Sequence, residues 1–456
     1  MADTLEVIEP ATEEVLEKIP RAGVAEADAA VARAKAALPA WRALPPAERA
    51  ALLRGLADAL AARLDELAVL EARNAGKPIR DARGEMGMVV DTFRYYSGAP
   101  ERPIGETIPI AGGLAITVRE PLGVVALITP WNFPLVIASW KLAPALAAGN
   151  TVVLKPAELT PLTALAFERI ATDAGIPAGV VNVVVGAGRT VGRRLVEHPD
   201  VAKIAFTGST EVGRSIAAGA AGTIKRVTLE LGGKSANVVF ADADLDAAAA
   251  AAPGAVFGNA GQDCCARSRI LVERAALDAF LERLETAVRG MRVGDPLDEA
   301  TDMGPLISAE QRETVASFVD DESRVAIRGE APDGPGFWFA PTVLCPVRND
   351  ERAAAEEIFG PVAAVIPFED ENEAVRLAND TIYGLSGSVW TRDGTRALRV
   401  ARAIETGVLS INSNTSVRVA TPFGGFKQSG YGRELGPHAL DAYTEVKTIS
   451  LAGGGS

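Results

Sequence analysis

Apolar positions recur at helical spacing through residues 24–75, with Arg and Glu between them, and predict amphipathic helices broken at Leu44-Pro45-Pro46. These are packing elements without chemistry of their own. Further along, the pattern changes to short apolar runs at 151–154, 180–185, 202–207 and 227–229, with a helix over about 161–175 between the first two. Strands alternating with helices predict a mostly parallel sheet covered by helices. A second series, with strands near 236–240, 269–272, 363–368 and 386–390, predicts a second α/β domain. The proline- and glycine-rich stretch 99–113 is expected to be a surface crossover. The apolar run 446–451 would be an exposed strand edge if unpaired, so it is predicted to pair with another subunit. No repeat of fixed period is present, which sets solenoids and propellers aside.

The segment between Glu120 and Lys141 carries no charge and is long enough for a membrane span of about 20 residues. Gly123, Pro130, Asn132 and Pro134 interrupt it, so it is expected to be a buried strand at 124–128, a loop and the start of a buried helix. The first residues lack the basic start and apolar run of a signal peptide, which points to the cytoplasm. Gly453-Gly454-Gly455-Ser456 reads as a flexible tail.

With 456 residues, 48% of them hydrophobic, the chain has material for two or three soluble domains. A net charge of −13 argues against nucleic acid and anionic membrane as partners. Three cysteines, two of them adjacent, cannot build a disulfide framework and suit a reducing compartment. His198 and His438 lie far apart and are expected at the surface; with no Cys-x-x-Cys pair, no metal site is expected.

Candidate chemistry centres on Gly261-Gln262-Asp263-Cys264-Cys265 and on Glu230-Leu231-Gly232-Gly233-Lys234-Ser235. A thiol nucleophile and a carboxylate base together suggest covalent acyl chemistry, whereas either alone reads more readily as a buried cysteine or a surface glutamate. Phe206-Thr207-Gly208-Ser209 leads from a strand into a helix, either as a pyrophosphate cradle or as an ordinary turn. Gly186-Ala187-Gly188-Arg189-Thr190-Val191-Gly192 has one residue too many for the usual dinucleotide fingerprint. Lys155 and Glu158 follow a strand and suit an adenosine ribose or a solvated turn; a carboxylate at Glu158 would repel the extra phosphate of NADP and so favours NAD. Pro130-Trp131-Asn132-Phe133-Pro134 offers an amide for an oxyanion, or a structural asparagine. Glu356-Glu357-Ile358-Phe359 could grip a ribose and a planar ring, or end a helix; Phe423 sits in a glycine-rich loop.

In this order, and over about 5–447, these motifs resemble the NAD(P)-dependent aldehyde dehydrogenase superfamily, with greatest similarity to γ-aminobutyraldehyde and betaine-aldehyde dehydrogenases. The resemblance implies an α/β fold with a Rossmann-type cofactor domain (1–98 and 122–232), an α/β catalytic domain (233–428) and a small β oligomerisation arm (99–121 and 429–456). It implies Cys264, third after Gly261, as nucleophile, Glu230 as the base for deacylation, and Asn132 with the Cys264 amide as oxyanion hole. It further implies that Lys155, Glu158, Gly208, Ser209, Trp131, Glu357 and Phe359 hold NAD, and that Phe423 lines the substrate entrance. Relatives that transfer the acyl group to coenzyme A lack the glutamate, so Glu230 implies hydrolysis to a carboxylic acid. A homo-oligomer, dimer or tetramer, is also implied.

Asp263, next to the nucleophile, suggests a substrate. The Gly-Gln-Asp-Cys form is similar to that of γ-aminobutyraldehyde dehydrogenases, and a carboxylate there could attract a cationic amino aldehyde such as 4-aminobutanal, with Tyr95, Tyr96 or Trp140 as aromatic faces. Alternatively Asp263 turns away and anchors its loop through backbone hydrogen bonds. A general or betaine-type aldehyde dehydrogenase and a catalytically silent NAD-binding relative are the other readings kept; a cofactor-free cysteine hydrolase would leave the dinucleotide-type turns unexplained.

Overall fold

The computed structural model describes residues 4–102, 105–415 and 417–452; the tail at 453–456 lies outside them. It opens with an antiparallel pair, β1 (Thr4–Ile8) and β2 (Val15–Pro20). Four helices follow: α1 (Val24–Ala43), α2 (Pro46–Ala62), α3 (Leu64–Ala75) and α4 (Ile79–Ser97). The expected break is real, because Pro46 opens α2 at a position where its missing N–H costs nothing.

The supposed crossover at 99–113 contains a strand. β3 (Thr107–Ile110) pairs antiparallel with β4 (Gly113–Pro121), and Pro109 is tolerated because β3 is an edge strand.

The first large sheet is built on β5 (Val124–Ile128), whose five residues are all buried. The segment between Glu120 and Lys141 thus becomes the end of β4, this strand, a loop and the first half of α5 (Pro134–Ala147). From β5 the chain steps outward through β6 (Thr151–Lys155), α6 (Leu162–Asp173) and β7 (Val181–Val183). It then returns through α7 (Arg193–Glu197) to the other side of β5, adding β8 (Val201–Thr207), α8 (Thr210–Ala221) and β9 (Arg226–Glu230). The parallel order β9-β8-β5-β6-β7 reverses direction between β5 and β8, and in such sheets ligands bind at that switch, beyond the carboxyl ends of the strands.

The second large sheet starts with β10 (Ala236–Val239), α9 (Leu245–Phe257), β11 (Arg269–Glu273) and α10 (Leu277–Arg289). It continues with α11 (Ala309–Ala316), β12 (Val325–Arg328), β13 (Thr342–Leu344), α12 (Arg352–Ala355) and β14 (Val362–Phe368). Last come α13 (Glu371–Asn379), β15 (Ser386–Trp390), α14 (Gly394–Ala403) and β16 (Val408–Ile411). The order is β12-β13-β14-β11-β10-β15-β16.

The chain then turns back to the first sheet. β17 (Gly430–Tyr431) pairs antiparallel with β9, Gly430 facing Glu230, and β18 (Thr444–Ala452) pairs along its whole length with β4 as the outer strand of a three-stranded sheet. His198, expected at the surface, is instead buried, its Nδ1 accepting the Asp200 N–H at 3.1 Å in the turn before β8; His438 is exposed.

Glu434 fastens this returning segment. Its carboxylate forms a fully buried ion pair with Lys141 on α5, 293 residues away in sequence. Breaking a buried pair leaves a lone buried charge, so Lys141→Met is expected to lower unfolding free energy by about 3–5 kcal/mol, whereas the double variant Lys141→Met/Glu434→Leu recovers most of it. Urea-denaturation midpoints of the two variants test this, and equal losses would contradict it.

Candidate active site

A cavity of about 700 Å³ lies between the two large sheets and is lined by Glu230, Cys264, Asp263, Trp140 and Phe423 among others. Several groups in and beside it sit at element ends. Glu230 closes β9, Thr207 closes β8, and Asn132 lies in the loop between β5 and α5, so the first sheet presents all three at its carboxyl edge.

Cys264 comes from the other side, on the loop after α9. The approach to it is strained: Asn259 (φ 52°) and Ala260 (φ 54°) take left-handed conformations that cost non-glycine residues of order 1–3 kcal/mol each. Gly261 (φ 71°) follows, and a Cβ there would stand 2.1 Å from the Gly360 carbonyl oxygen. Similarly, a Cβ on Gly233 would be 2.2 Å from the Cys264 carbonyl oxygen. Backbone therefore meets backbone where the loops of Glu230, Cys264 and Glu357 converge, and only glycine permits that approach.

The Asn132 loop is fixed to the cysteine loop by hydrogen bonds. Asn132 Nδ2 donates to the Gln262 carbonyl at 2.9 Å, and the Asn132 carbonyl accepts from Lys77 Nζ and from Asn259 Nδ2, each at 3.0 Å. Lys77 is itself paired with Glu85 at 2.5 Å and lies over the Phe133 ring. Sequence reasoning missed Lys77, Glu85, Asn259, Lys141 and Glu434. The one available signal was Gly76-Lys77-Pro78, a charged residue between two helix punctuators.

The titrating groups are strongly shifted. Glu230 is buried, neither carboxylate oxygen has a hydrogen-bond partner among the described residues, and burial together with nearby Glu434 raises it well above the ordinary carboxylate range. A buried carboxyl left without donors is costly, and such costs concentrate where chemistry is done. The Cys264 thiol is also pushed well up, by its hydrogen bond to Cys265, by burial and by the negative charge of Asp263.

Asp263 lines the cavity and also anchors its loop, Oδ1 accepting the Cys265 N–H at 2.8 Å. Trp140 lines the same cavity and packs edge-on against Phe423 at 5.2 Å. Tyr95 and Tyr96 do not. They line a second cavity of about 400 Å³, with Tyr96 donating to the Gly436 carbonyl at 2.7 Å, because α4 turns that end of its face toward the returning C-terminal segment.

Of the residues expected to hold the dinucleotide, Trp131 lies on the loop after β5, Gly208 and Ser209 follow β8, Lys155 ends β6, and Glu357 and Phe359 come from the segment between α12 and β14. Ser209 caps α8, accepting the Val212 N–H at 3.3 Å, and Gly208 donates to the Glu230 carbonyl at 3.1 Å. Trp131 and Phe359 meet edge-on at 5.2 Å. Glu357 accepts the Gly233 N–H at 2.9 Å and is pushed up to about 7 by burial. Lys155 is buried, pushed down to about 8 by that burial, and donates to the Pro156 carbonyl; Glu158 is held by Arg21 at 2.8 Å. A helix N-terminus, a glycine turn and a buried carboxylate at a switch point suit a dinucleotide's pyrophosphate and ribose.

Residues 1–449 match the sequence profile of the aldehyde dehydrogenase family. The chain belongs to that family. This aldehyde dehydrogenase is 44% identical to the betaine aldehyde dehydrogenase of Bacillus subtilis (strain 168) over 412 residues, 88% of this chain and 84% of that protein. Among solved structures it is similar to PnpE from Pseudomonas sp. WBC-3 in complex with nicotinamide adenine dinucleotide, with TM-score 0.97 and 45% identity, covering 100% of this chain and 95% of that one. It is also similar to the betaine aldehyde dehydrogenase of Staphylococcus aureus in complex with NAD+, with TM-score 0.97 and 37% identity, covering 100% and 93%. No helix among the described residues of this aldehyde dehydrogenase is long and apolar enough to cross a membrane.

Because the Cys264 thiol is raised, it is protonated at neutral pH, and its alkylation by iodoacetamide should climb about tenfold per pH unit past the ordinary cysteine range before levelling. Asp263→Asn removes one cause of the shift and should bring the levelling to lower pH. Mass-spectrometric rates on the Cys264 peptide check both, and a plateau near pH 7 in the unsubstituted enzyme would contradict the assignment.

Proposed function

We propose that the chain oxidises an aldehyde to a carboxylic acid with NAD, and that its substrate carries a positive charge, as an amino or ammonium aldehyde does. The observation that supports the reaction is the convergence of Cys264 and Glu230 on one cavity, with Asn132 tied two residues upstream of the thiol.

Cys264, once deprotonated, attacks the aldehyde carbon. The oxyanion of the resulting thiohemiacetal is received by the Asn132 side chain and the Cys264 N–H. A nicotinamide bound by the residues named below would supply the hydride acceptor that oxidation of the aldehyde requires. Glu230 then removes a proton from the water that hydrolyses the resulting thioester; burial and the neighbouring Glu434 raise its affinity for protons, as a base requires. Lys155, Glu158, Gly208, Ser209, Trp131, Glu357 and Phe359 are assigned to the dinucleotide. Glu158 keeps NAD ahead of NADP.

Two carboxyl groups, Asp263 and Glu85, line the cavity beside the aromatic Trp140 and support a cationic substrate. The betaine aldehyde dehydrogenase relatives point the same way. An enzyme for neutral aldehydes is the alternative. The division into a cofactor domain (1–98 and 122–232), a catalytic domain (233–428) and an arm (99–121 and 429–456) belongs to the same reading, with a cytoplasmic location. So does a homo-oligomer, for β18 is the outer strand of its sheet among the described residues and exposes Val446, Ile449 and Leu451. A sedimentation mass of one chain at micromolar concentration would refute it.

NADH formation should be strong with 4-aminobutanal or betaine aldehyde, weak with neutral aldehydes of equal length, and abolished in Cys264→Ala. Asp263→Asn should raise KM for the cationic aldehydes far more than for neutral ones; equal effects would sink the charged-substrate assignment. Asn132→Ala should lower kcat by about 100-fold or more, the cost of one oxyanion donor.

A further inference from the structure

Cys265 has no part in the mechanism above, yet it stands beside the nucleophile. One ligand atom each from Asp263, Cys264 and Cys265 lie within 4.8 Å of one another, and all three residues line the 700 Å³ cavity. Two sulfurs and a carboxylate oxygen form a donor set that suits a thiophilic divalent cation such as Zn2+. A tetrahedral ion with bonds of about 2.3 Å to sulfur and 2.1 Å to oxygen needs donors roughly 3.5–3.8 Å apart. The observed spacing reaches that through side-chain shifts of about 1 Å. The backbone is already bent for it. Ala266 N–H donates to the Asp263 carbonyl at 2.9 Å, closing a turn with the two cysteines at its central positions, and Cys265 N–H holds Asp263 Oδ1 at 2.8 Å.

We infer that Asp263, Cys264 and Cys265 form an inhibitory site for a thiophilic divalent cation, Zn2+ being the ion of choice, which caps the catalytic thiol reversibly. On binding, two S–H bonds break, two protons leave to solvent and two Zn–S bonds form, with no change of oxidation state. Asp263 adds its second carboxylate oxygen, and water from the cavity completes the shell. The ion draws electron density from the bound sulfur and occupies the space a carbonyl needs to reach it, so the ion and the aldehyde exclude each other. Three protein ligands without histidine make a site that fills and empties rather than a permanent structural one.

The test uses the full chain without cofactor or substrate, in a Cys345→Ser background. Co2+ is the spectroscopic probe, since thiolate ligation produces near-ultraviolet charge-transfer absorption that scales with the number of sulfurs. One Co2+ per chain is expected, displaced by Zn2+, and Cys265→Ser should lower the band by about half and weaken the ion by ~100-fold or more, since even partners outside a ligand set are worth 10–100-fold. Cys265→Ala serves as a second variant, and thermal unfolding of both establishes that they are folded. In the activity assay, Zn2+ should inhibit the background enzyme and leave Cys265→Ser working at the same concentration. Equal Co2+ spectra in the two, or equal inhibition, would overturn the proposal by making Cys264 a lone ligand. The cobalt readout needs no turnover, so it stands or falls apart from the assigned reaction.

Discussion

The carbonyl oxygen of Asn132 is the point on which the site depends. It accepts from Lys77 Nζ and Asn259 Nδ2, each at 3.0 Å, and so joins the start of α4, the β5–α5 loop and the approach to Cys264. The side chain of the same residue reaches the Gln262 carbonyl, which Asn259 Nδ2 also contacts, at 3.2 Å. A reacting carbonyl must find nucleophile and oxyanion donors within a fraction of an ångström, and loops from two different sheets do not hold such tolerance alone. Tying them through one carbonyl makes the two sheets a single frame. The strain at Asn259 and Ala260 is what this tie sustains.

The same frame explains the electrostatics. Closing the loops against one another buries Glu230 and Glu434 with Lys77, Lys141 and Lys234, and half-buries Glu85 and Glu357. Some of these charges are paired, as Lys141 is with Glu434 and Lys77 with Glu85, and those pairs hold elements together. Glu230 has no such partner. Its affinity for a proton is therefore raised by burial and by a like-charged neighbour, as suits a carboxyl that takes a proton from water. Structural and chemical carboxylates thus stand side by side, told apart by who receives a hydrogen bond.

Legibility in the sequence followed the same physics. Strands β5, β6, β8, β10, β11 and β14 were readable because strands buried on both faces are largely continuous apolar runs. The hairpin of β1 and β2 and the strand β3 were not, since their residues are mostly exposed and Pro109 reads as a break. Glu230 and Cys264 announced themselves through glycines set beside them, whose necessity the close backbone approaches explain. The clamp could not be read that way. Lys77 is 55 residues from Asn132, Lys141 is 293 from Glu434, and neither lysine carries a local signature of its partner. Tyr95 and Tyr96 misled because sequence proximity to a site-forming helix does not say which way its last turn faces.

Asp263 links substrate choice to reactivity. As an anchor it is required by the Cys265 N–H, but its charge beside Cys264 is one of the causes that hold the thiol protonated. A neutral substrate leaves that charge in place. A substrate bearing an ammonium group near Asp263 would offset it, and the thiol would lose its proton more readily with substrate bound than without. Binding of the right cation and generation of the thiolate would then be one event, and the resting enzyme would keep its nucleophile in the less reactive, protonated form.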